Sequence, residues 1–374
     1  MYDSLAVTQV ALASARDVGA SEDVRAFRPV CSHNEWDPLE EVIVGIAEGA
    51  CVPPWMDMFE GILPEDEHDF WRRNAGLPFE PQLLDRIRAE LGQFVELLDR
   101  RGIIVRRPQR QDKLATFGAP GWTSTGFYDA MPRDGFLIVG DEIVECPMAW
   151  RSRYFESSAY RHLFKAYFQA GARWTSAPKP ELGEQTYAEL GLSDRHDFAV
   201  SEFEPTFDAA DFVRCGRDIF AQQSHVTNRF GIEWLQRHLG SDYRVHLLHF
   251  DDPHPMHIDA TFLPLGPGKL LINPERVHAL PDMFAGWDVR AAPPPAIPAD
   301  HPMYMCSRWV NMNLLMLDPE CAVVEAEDIA MQDLMRTWGI EPLAVPFRNF
   351  NSIGGSFHCA TLDVRRAGSL ECYF

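Results

Sequence analysis

Apolar positions along this chain fall into a rhythm that repeats. Leu84, Ile87, Leu91, Phe94 and Leu98 stand three and four apart with Gly102 just beyond, which predicts an amphipathic helix closed by a glycine cap. Ile103–Val105 follows as a short β-prone run. Phe136–Val139 and Ile143–Glu145 flank Gly140-Asp141 as a hairpin, and Tyr160, Leu163, Phe164, Tyr167 and Phe168 predict a helix ending at Gly171. The order returns with a strand at Asp218–Phe220, a helix near Asn228–His238 and a strand at Tyr243–Phe250. A further unit has Thr261–Leu265 and Lys269–Asn273 around Gly266-Pro267-Gly268, a short helix near Pro281–Phe284 and a weak strand near Val289. Another has Asn313–Leu317 and Ala322–Glu325 around Asp318-Pro319, a helix at Glu327–Trp338 and a strand at Leu343–Phe347.

An opening strand at Glu41–Gly45, after the Asp37-Pro38 turn signal, begins a first unit that is incomplete. Hairpin, helix and strand recurring about five times predict an α/β ring of small sheets around one core, with the C-terminal stretch completing the first unit. An α+β sandwich would satisfy the same periodicity. The segment from Ala50 to about Pro81 is rich in Pro and acid without a clear period, and reads as a long surface excursion.

Composition is that of a globular chain with a sizeable core: 374 residues, 46% hydrophobic and 24% charged. Residues 1–27 mix acids with arginines, lack the features of a targeting segment, and are expected to form a loose tail. The formal net charge of −21 argues against nucleic-acid binding and suits a cationic or zwitterionic small substrate, although such charge also serves solubility. Eight cysteines without a C-x-x-C pair fit a reducing compartment. No apolar run approaches the roughly 18 residues of a membrane span, so no membrane partner and a cytoplasmic location are expected.

Three stretches could carry chemistry. In Glu202–Asp211, Asp208 is the best candidate for a buried, oriented acid, against the plainer reading of a solvated acidic loop. Asp251–Asp259 holds two His and three Asp, but its prolines forbid a helix that would pair His254 with His257, and no third His or Cys closes a metal set. His257 as a general acid/base is the better reading, with Asp259 on the same side of an extended segment. Finally, Gly354-Gly355-Ser356-Phe357-His358 delivers Cys359 after paired glycines that permit φ > 0 or close approach. A lone Cys is more often a buried hydrophobe. His358, its neighbour in an expected strand, would face away and be structural, whereas the order Asp208, His257, Cys359 could make a nucleophile with a distant base.

Six motifs in order carry a resemblance: Asn34–Gly45, Ala130–Asp134, Pro147–Arg153, Phe207–Asp211, Pro255–Phe262 and Gly354–Cys359. From about residue 28 to the C-terminus the chain resembles the amidinotransferases, and is most similar to the arginine:glycine branch. The resemblance implies a five-fold pseudosymmetric α/β propeller of the pentein type as one catalytic domain over 28–374, a homodimer, and no metal or cofactor. It implies Cys359 as nucleophile and His257 with Asp208 as the acid/base pair. Asp134 and Asp259 would clamp the guanidinium of the donor, with Arg276 and Ser307 on the amino acid's carboxylate.

Met256, His254 and Cys306 belong to the same expected pocket. The last two depart from the glycine enzymes, which read Asn before Pro-Met-His and Ser-Ser before a basic residue and Trp, where this chain has Cys306-Ser307-Arg308-Trp309. These departures bear on the acceptor. Small-molecule partners are therefore expected: L-arginine as donor and glycine as leading acceptor, with lysine or an aminocyclitol phosphate as alternatives and hydrolysis as the competing class. The thiolate fraction of Cys359 is expected to rise beside the cationic substrate and His257.

Overall fold

Among the described residues, five three-stranded sheets repeat one connection, in which an antiparallel pair is followed by a crossover that brings back a parallel third strand. This computed structural model describes residues 28–189, 198–305 and 307–374, so the expected tail and Cys306 lie outside the described residues. Four sheets are continuous in sequence. They are built from Phe136–Val139, Glu142–Glu145 and Arg173–Ser176; from Phe212–Cys215, Asp218–Gln222 and Arg244–Leu248; from Phe262–Gly266, Lys269–Ile272 and Asp288–Ala291; and from Leu315–Asp318, Cys321–Glu325 and Glu341–Val345. The fifth joins the chain ends. Thr361–Arg366 runs antiparallel to Leu39–Val44, which pairs in parallel with Ile104–Arg106. This is the five-fold α/β propeller.

The hairpin strands are buried almost throughout, whereas every third strand is largely half-buried or exposed, so each sheet leads from the core to the rim. Phe212–Cys215, absent from the sequence expectation, carries Arg214 inside an apolar run and shows no alternation. Helices at Pro81–Arg100, Ser157–Gln169, Arg229–Leu239 and Ile329–Thr337 make four crossovers. The remaining one contains only a 3₁₀ turn, Asp282–Phe284. Leu83, Ile87, Leu91, Phe94 and Leu98 form the buried stripe of the first helix, and Asn228 caps the third by accepting from the Gly231 N–H at 2.8 Å.

One expectation fails. The stretch from Ala50 to Pro81 is not a surface excursion: it folds into short helices at Phe59–Ile62 and His68–Asn74 that bury Phe59 and Trp71 in the largest core cluster. Phe59 packs on Trp71 and Trp150 at 5.8 and 5.3 Å between ring centroids. A few large aromatic rings bury enough area to fix such a segment without any period. A two-stranded sheet, Phe117–Ala119 with Trp122–Ser124, was also unforeseen.

Paired charges occupy the interior where the motifs meet. Arg214 lies between Glu35 at 2.8 Å and Asp363 at 2.7 Å, and Asp363 also takes Arg133 and Arg366. Burial raises Glu35 and Asp363, but the arginines outweigh it and hold both carboxyls below their usual range. Among the described residues no helix is long and apolar enough to cross a membrane.

Candidate active site

Cys359 lies in a turn just ahead of strand Thr361–Arg366, and its position is fixed by Asn313. Asn313 Oδ1 accepts the Ser356 and Cys359 N–H groups at 2.8 and 3.0 Å, while its Nδ2 donates to Cys359 Sγ at 3.0 Å. Gly354 and Gly355 have φ of 103° and 63°. A Cβ on Gly355 would stand 2.5 Å from that of Cys359 and 2.9 Å from its sulfur. The paired glycines thus answer both to left-handed backbone and to close approach.

His257 comes from the next-to-last propeller unit and is one of two non-glycine residues at positive φ among those described, at 63°. Asp211 holds this strained backbone by accepting the His257 N–H at 2.9 Å, and is itself held by Gln222, Ser224 and Thr227. Residues after His257 turn into a 3₁₀ segment, Ile258–Ala260, so Asp259 reaches the site by a turn and not along an extended strand as expected. His257 Nε2 meets Asp208 Oδ2 at 3.2 Å, and Nδ1 lies 3.8 Å from Asp134 Oδ1. Asp208 is fully buried, which removes the solvated-loop reading.

Asp134 is gripped by Arg153 Nη1 at 2.7 Å through Oδ2, and Arg153 is clamped in turn by Glu156 at 2.6 and 2.7 Å. The other oxygen, Oδ1, is buried without a hydrogen-bond partner. Asp259 Oδ2 accepts from His358 Nδ1 at 2.8 Å and from Cys359 Sγ at 3.4 Å. One ligand-type atom each from Asp134, His257 and Cys359 lies within 4.8 Å of the others.

The electrostatics follow from burial and crowding. Burial pushes His257 down, but Asp134, Asp208 and Asp211 overrule it and leave its pKa at about 10. Cys359 is driven well up by burial and then by Asp259 and Asp134, against the hydrogen bond from Asn313. Burial also raises Asp134, whereas for Asp259 the hydrogen bond and charge of His358 prevail over burial and hold it low. The site is therefore an imidazolium among carboxylates beside a protonated thiol. The expected rise in thiolate beside His257 is outweighed here by burial and the two aspartates. A bound planar cation would reverse that balance and meet the unpartnered oxygen of Asp134.

Cys359, His257, Asp134 and Asp259 line one cavity of about 530 Å³, together with Met256, His254, Arg276 and Ser307, while Asp208 lies behind His257 and off the cavity wall. Arg276 pairs with Asp252 at 2.9 Å and donates to Thr261 Oγ1 at 3.1 Å. Ser307 caps the 3₁₀ segment Arg308–Met312, and His254 Nδ1 contacts the Gly61 carbonyl at 3.1 Å. Arg276 is the one arginine or lysine on the cavity wall among the described residues.

Four residues of the neighbourhood escaped the sequence reading of chemistry: Asn313, Asp211, Arg153 and Glu35. Three of them stand inside motifs quoted above, so the signal was present. Asn313 was hidden at the expected start of a strand.

No family model matches the chain. The L-arginine:L-lysine amidinotransferase of Pseudomonas savastanoi pv. phaseolicola is 56% identical over 349 residues, covering 92% of this chain and 96% of that protein. The chain belongs to the amidinotransferases. A second relative in that family, the mitochondrial glycine amidinotransferase of Gallus gallus, is 47% identical over 387 residues, covering 99% of this amidinotransferase and 92% of that protein. The solved structure of an amidinotransferase from Microseira wollei, of the saxitoxin biosynthetic pathway, is similar with a TM-score of 0.87 and 48% identity, covering 92% of this chain and 100% of that one. The motif resemblance and the fold agree with this family membership.

Proposed function

We propose that this amidinotransferase takes its amidino group from L-arginine, carries it on Cys359, and passes it to the amine of a second amino acid, lysine ahead of glycine. The observation that carries the donor reading is the buried Asp134 Oδ1, which has no hydrogen-bond partner and only the 3.8 Å ion pair with His257, beside Cys359 in a cavity rich in carboxylates.

A guanidinium is planar, always charged and a poor electrophile, so it needs carboxylates on its edges to hold it in register. Asp134 and Asp259 provide them, and Arg276 with Ser307 takes the amino acid's carboxylate. As the guanidinium binds, its positive charge displaces the thiol proton to solvent through the open cavity, and the Cys359 thiolate adds to the central carbon. The bond to the departing nitrogen breaks as His257 gives that nitrogen its proton, and ornithine leaves an amidino-cysteine cation between the two aspartates. An acceptor amine then loses a proton to His257, attacks the same carbon, and Cys359 departs as thiolate. Asp208 keeps the imidazole ring oriented through both steps.

Ornithine carries its reacting amine at the far end from its carboxylate, and a site that releases it also takes it back. Lysine is the same molecule with an added methylene, and it needs no new contact. Glycine has both groups on one carbon and must use a carboxylate contact different from the donor's. The 56% identity with the lysine-accepting relative supports the same order. Glycine, the leading acceptor expected from the sequence, becomes the second reading, supported by the glycine amidinotransferase relative at 47%. A phosphorylated aminocyclitol suits the cavity less, since Arg276 is its one arginine or lysine among the described residues and already pairs with Asp252.

Purified protein given arginine with lysine, glycine, ornithine or no amine tests this. Lysine should be amidinated faster than glycine. Faster guanidinoacetate would overturn the acceptor order, and citrulline or urea formed without any amine would overturn transfer itself.

A further inference from the structure

His358 stands beside the reactive cysteine but takes no part in the steps above. It is buried in a turn and not in a strand, so the alternation that would turn it away from Cys359 does not apply. Its ring spans two carboxylates: Nδ1 meets Asp259 Oδ2 at 2.8 Å and Nε2 meets Glu35 Oε2 at 3.2 Å. An ionised carboxylate only accepts hydrogen bonds, so Nδ1 serves Asp259 by donating. The turn that carries it is pinned as well, by Arg133 Nε on the His358 and Thr361 carbonyls at 3.4 and 3.1 Å. Glu35 cannot swing, because Arg214 holds both of its oxygens at 2.8 Å.

We propose that His358 is a positioning residue for the transfer reaction: anchored on Glu35, its Nδ1–H keeps the Asp259 carboxylate turned toward Cys359 as the charged edge that receives the substrate's guanidinium. The inference rests on the arginine reading above. Asp259 Oδ2 has two neighbours, His358 and the Cys359 thiol. Without the imidazole the thiol alone would orient it. The charged and titratable groups facing Asp259 are His358, His257 and Cys359, and those facing Cys359 are Asp259, Asp134, His257 and Tyr128. Loss of the His358 contact therefore lets buried Asp259 take up a proton, which removes one of the two charges that hold the thiol protonated.

Two isosteric substitutions separate the ends of the ring. In His358→Asn the side-chain amide stands where Nδ1 was and can still donate to Asp259, whereas in His358→Gln it stands where Nε2 was and can serve only Glu35. Amidino-cysteine formation from arginine should stay within about threefold of wild type in His358→Asn and slow by about tenfold or more in His358→Gln. A second readout needs no substrate: iodoacetamide labelling of Cys359, mapped by peptide mass, should shift to lower pH in His358→Gln and keep its wild-type profile in His358→Asn. Wild-type protein that forms no adduct would count against the arginine reading alone, and the labelling profiles would still decide the role of His358. Equal effects of the two substitutions, or a milder effect of Gln than of Asn, would overturn the proposal. So would failure of both variants to reach the wild-type Tm, because His358 would then serve the fold and not Asp259.

Discussion

Asn313 grips Cys359 from two sides, accepting its backbone N–H at 3.0 Å and donating to its sulfur at 3.0 Å. The donated bond favours the thiolate, against the burial and the carboxylates that raise the thiol. Asn313→Asp keeps the accepting oxygen and replaces the donor by an anion. Turnover at neutral pH should fall by about a hundredfold, the loss typical of one donor on a reacting centre. The Tm should change little. Initial rates and thermal unfolding of the same preparation check both halves.

Gly355 makes a steric prediction. A methyl group there meets Cys359 Cβ at 2.5 Å, on a backbone at φ 63°. Gly355→Ala should lower kcat far more than it raises KM, since it displaces the sulfur proposed to attack and not Arg276 or Ser307, proposed to hold the substrate's carboxylate. Steady-state kinetics on arginine at saturating acceptor would show the split.

Arg153 holds Asp134 and Glu156 with no solvent to share them, and burial lifts Glu156 to about 7. Arg153→Gln would leave two carboxylates buried around a neutral side chain. The cost should be about 3–5 kcal/mol, the range for breaking a buried ion pair. KM for arginine should rise with it because Asp134 loses its register. Urea unfolding and arginine kinetics measure the two effects.

His257 sets a pH dependence whose sign is fixed. Its ordinary value is 6.5 and its folded value is about 10, so folding favours the protonated ring. The stabilisation is complete below about pH 6.5 and is lost as pH rises toward 10. Denaturant unfolding at pH 7 and pH 10 should show a larger fall in stability for wild type than for His257→Gln. Equal falls would contradict the reading, whatever other groups titrate in that window.

The ring could be read from sequence because each unit announces itself by strong local signals: a glycine after a periodic helix, as at Gly102 and Gly171, and a turn pair between β-prone runs, as at Gly140-Asp141. Chain closure by Thr361–Arg366 followed from the incomplete first unit. What stayed hidden lacks a period. Phe59 and Trp71 bury a segment through single large rings, and Arg214 sits inside a strand because Glu35 and Asp363 meet it from far away in sequence. Within the site, Asp208, His257, Asp134, Asp259 and Cys359 line up with motifs, and the structure gathers them in one place. Asn313, Asp211 and Arg153 act through partners 46, 46 and 19 residues away, and only the fold reveals such pairs. His358 illustrates the same limit: it lies in a turn and not in a strand, so alternation gives no account of its bond to Asp259.

In the proposed transfer Cys359 carries the amidino group. Intact-mass measurement after mixing the protein with arginine alone, without an acceptor, tests it directly. Wild type should gain the mass of one amidino group, release one ornithine per adduct, and lose that mass when an acceptor amine is added, while Cys359→Ser should gain none. An unmodified wild-type mass under turnover conditions, or the same adduct on Cys359→Ser, would contradict the account.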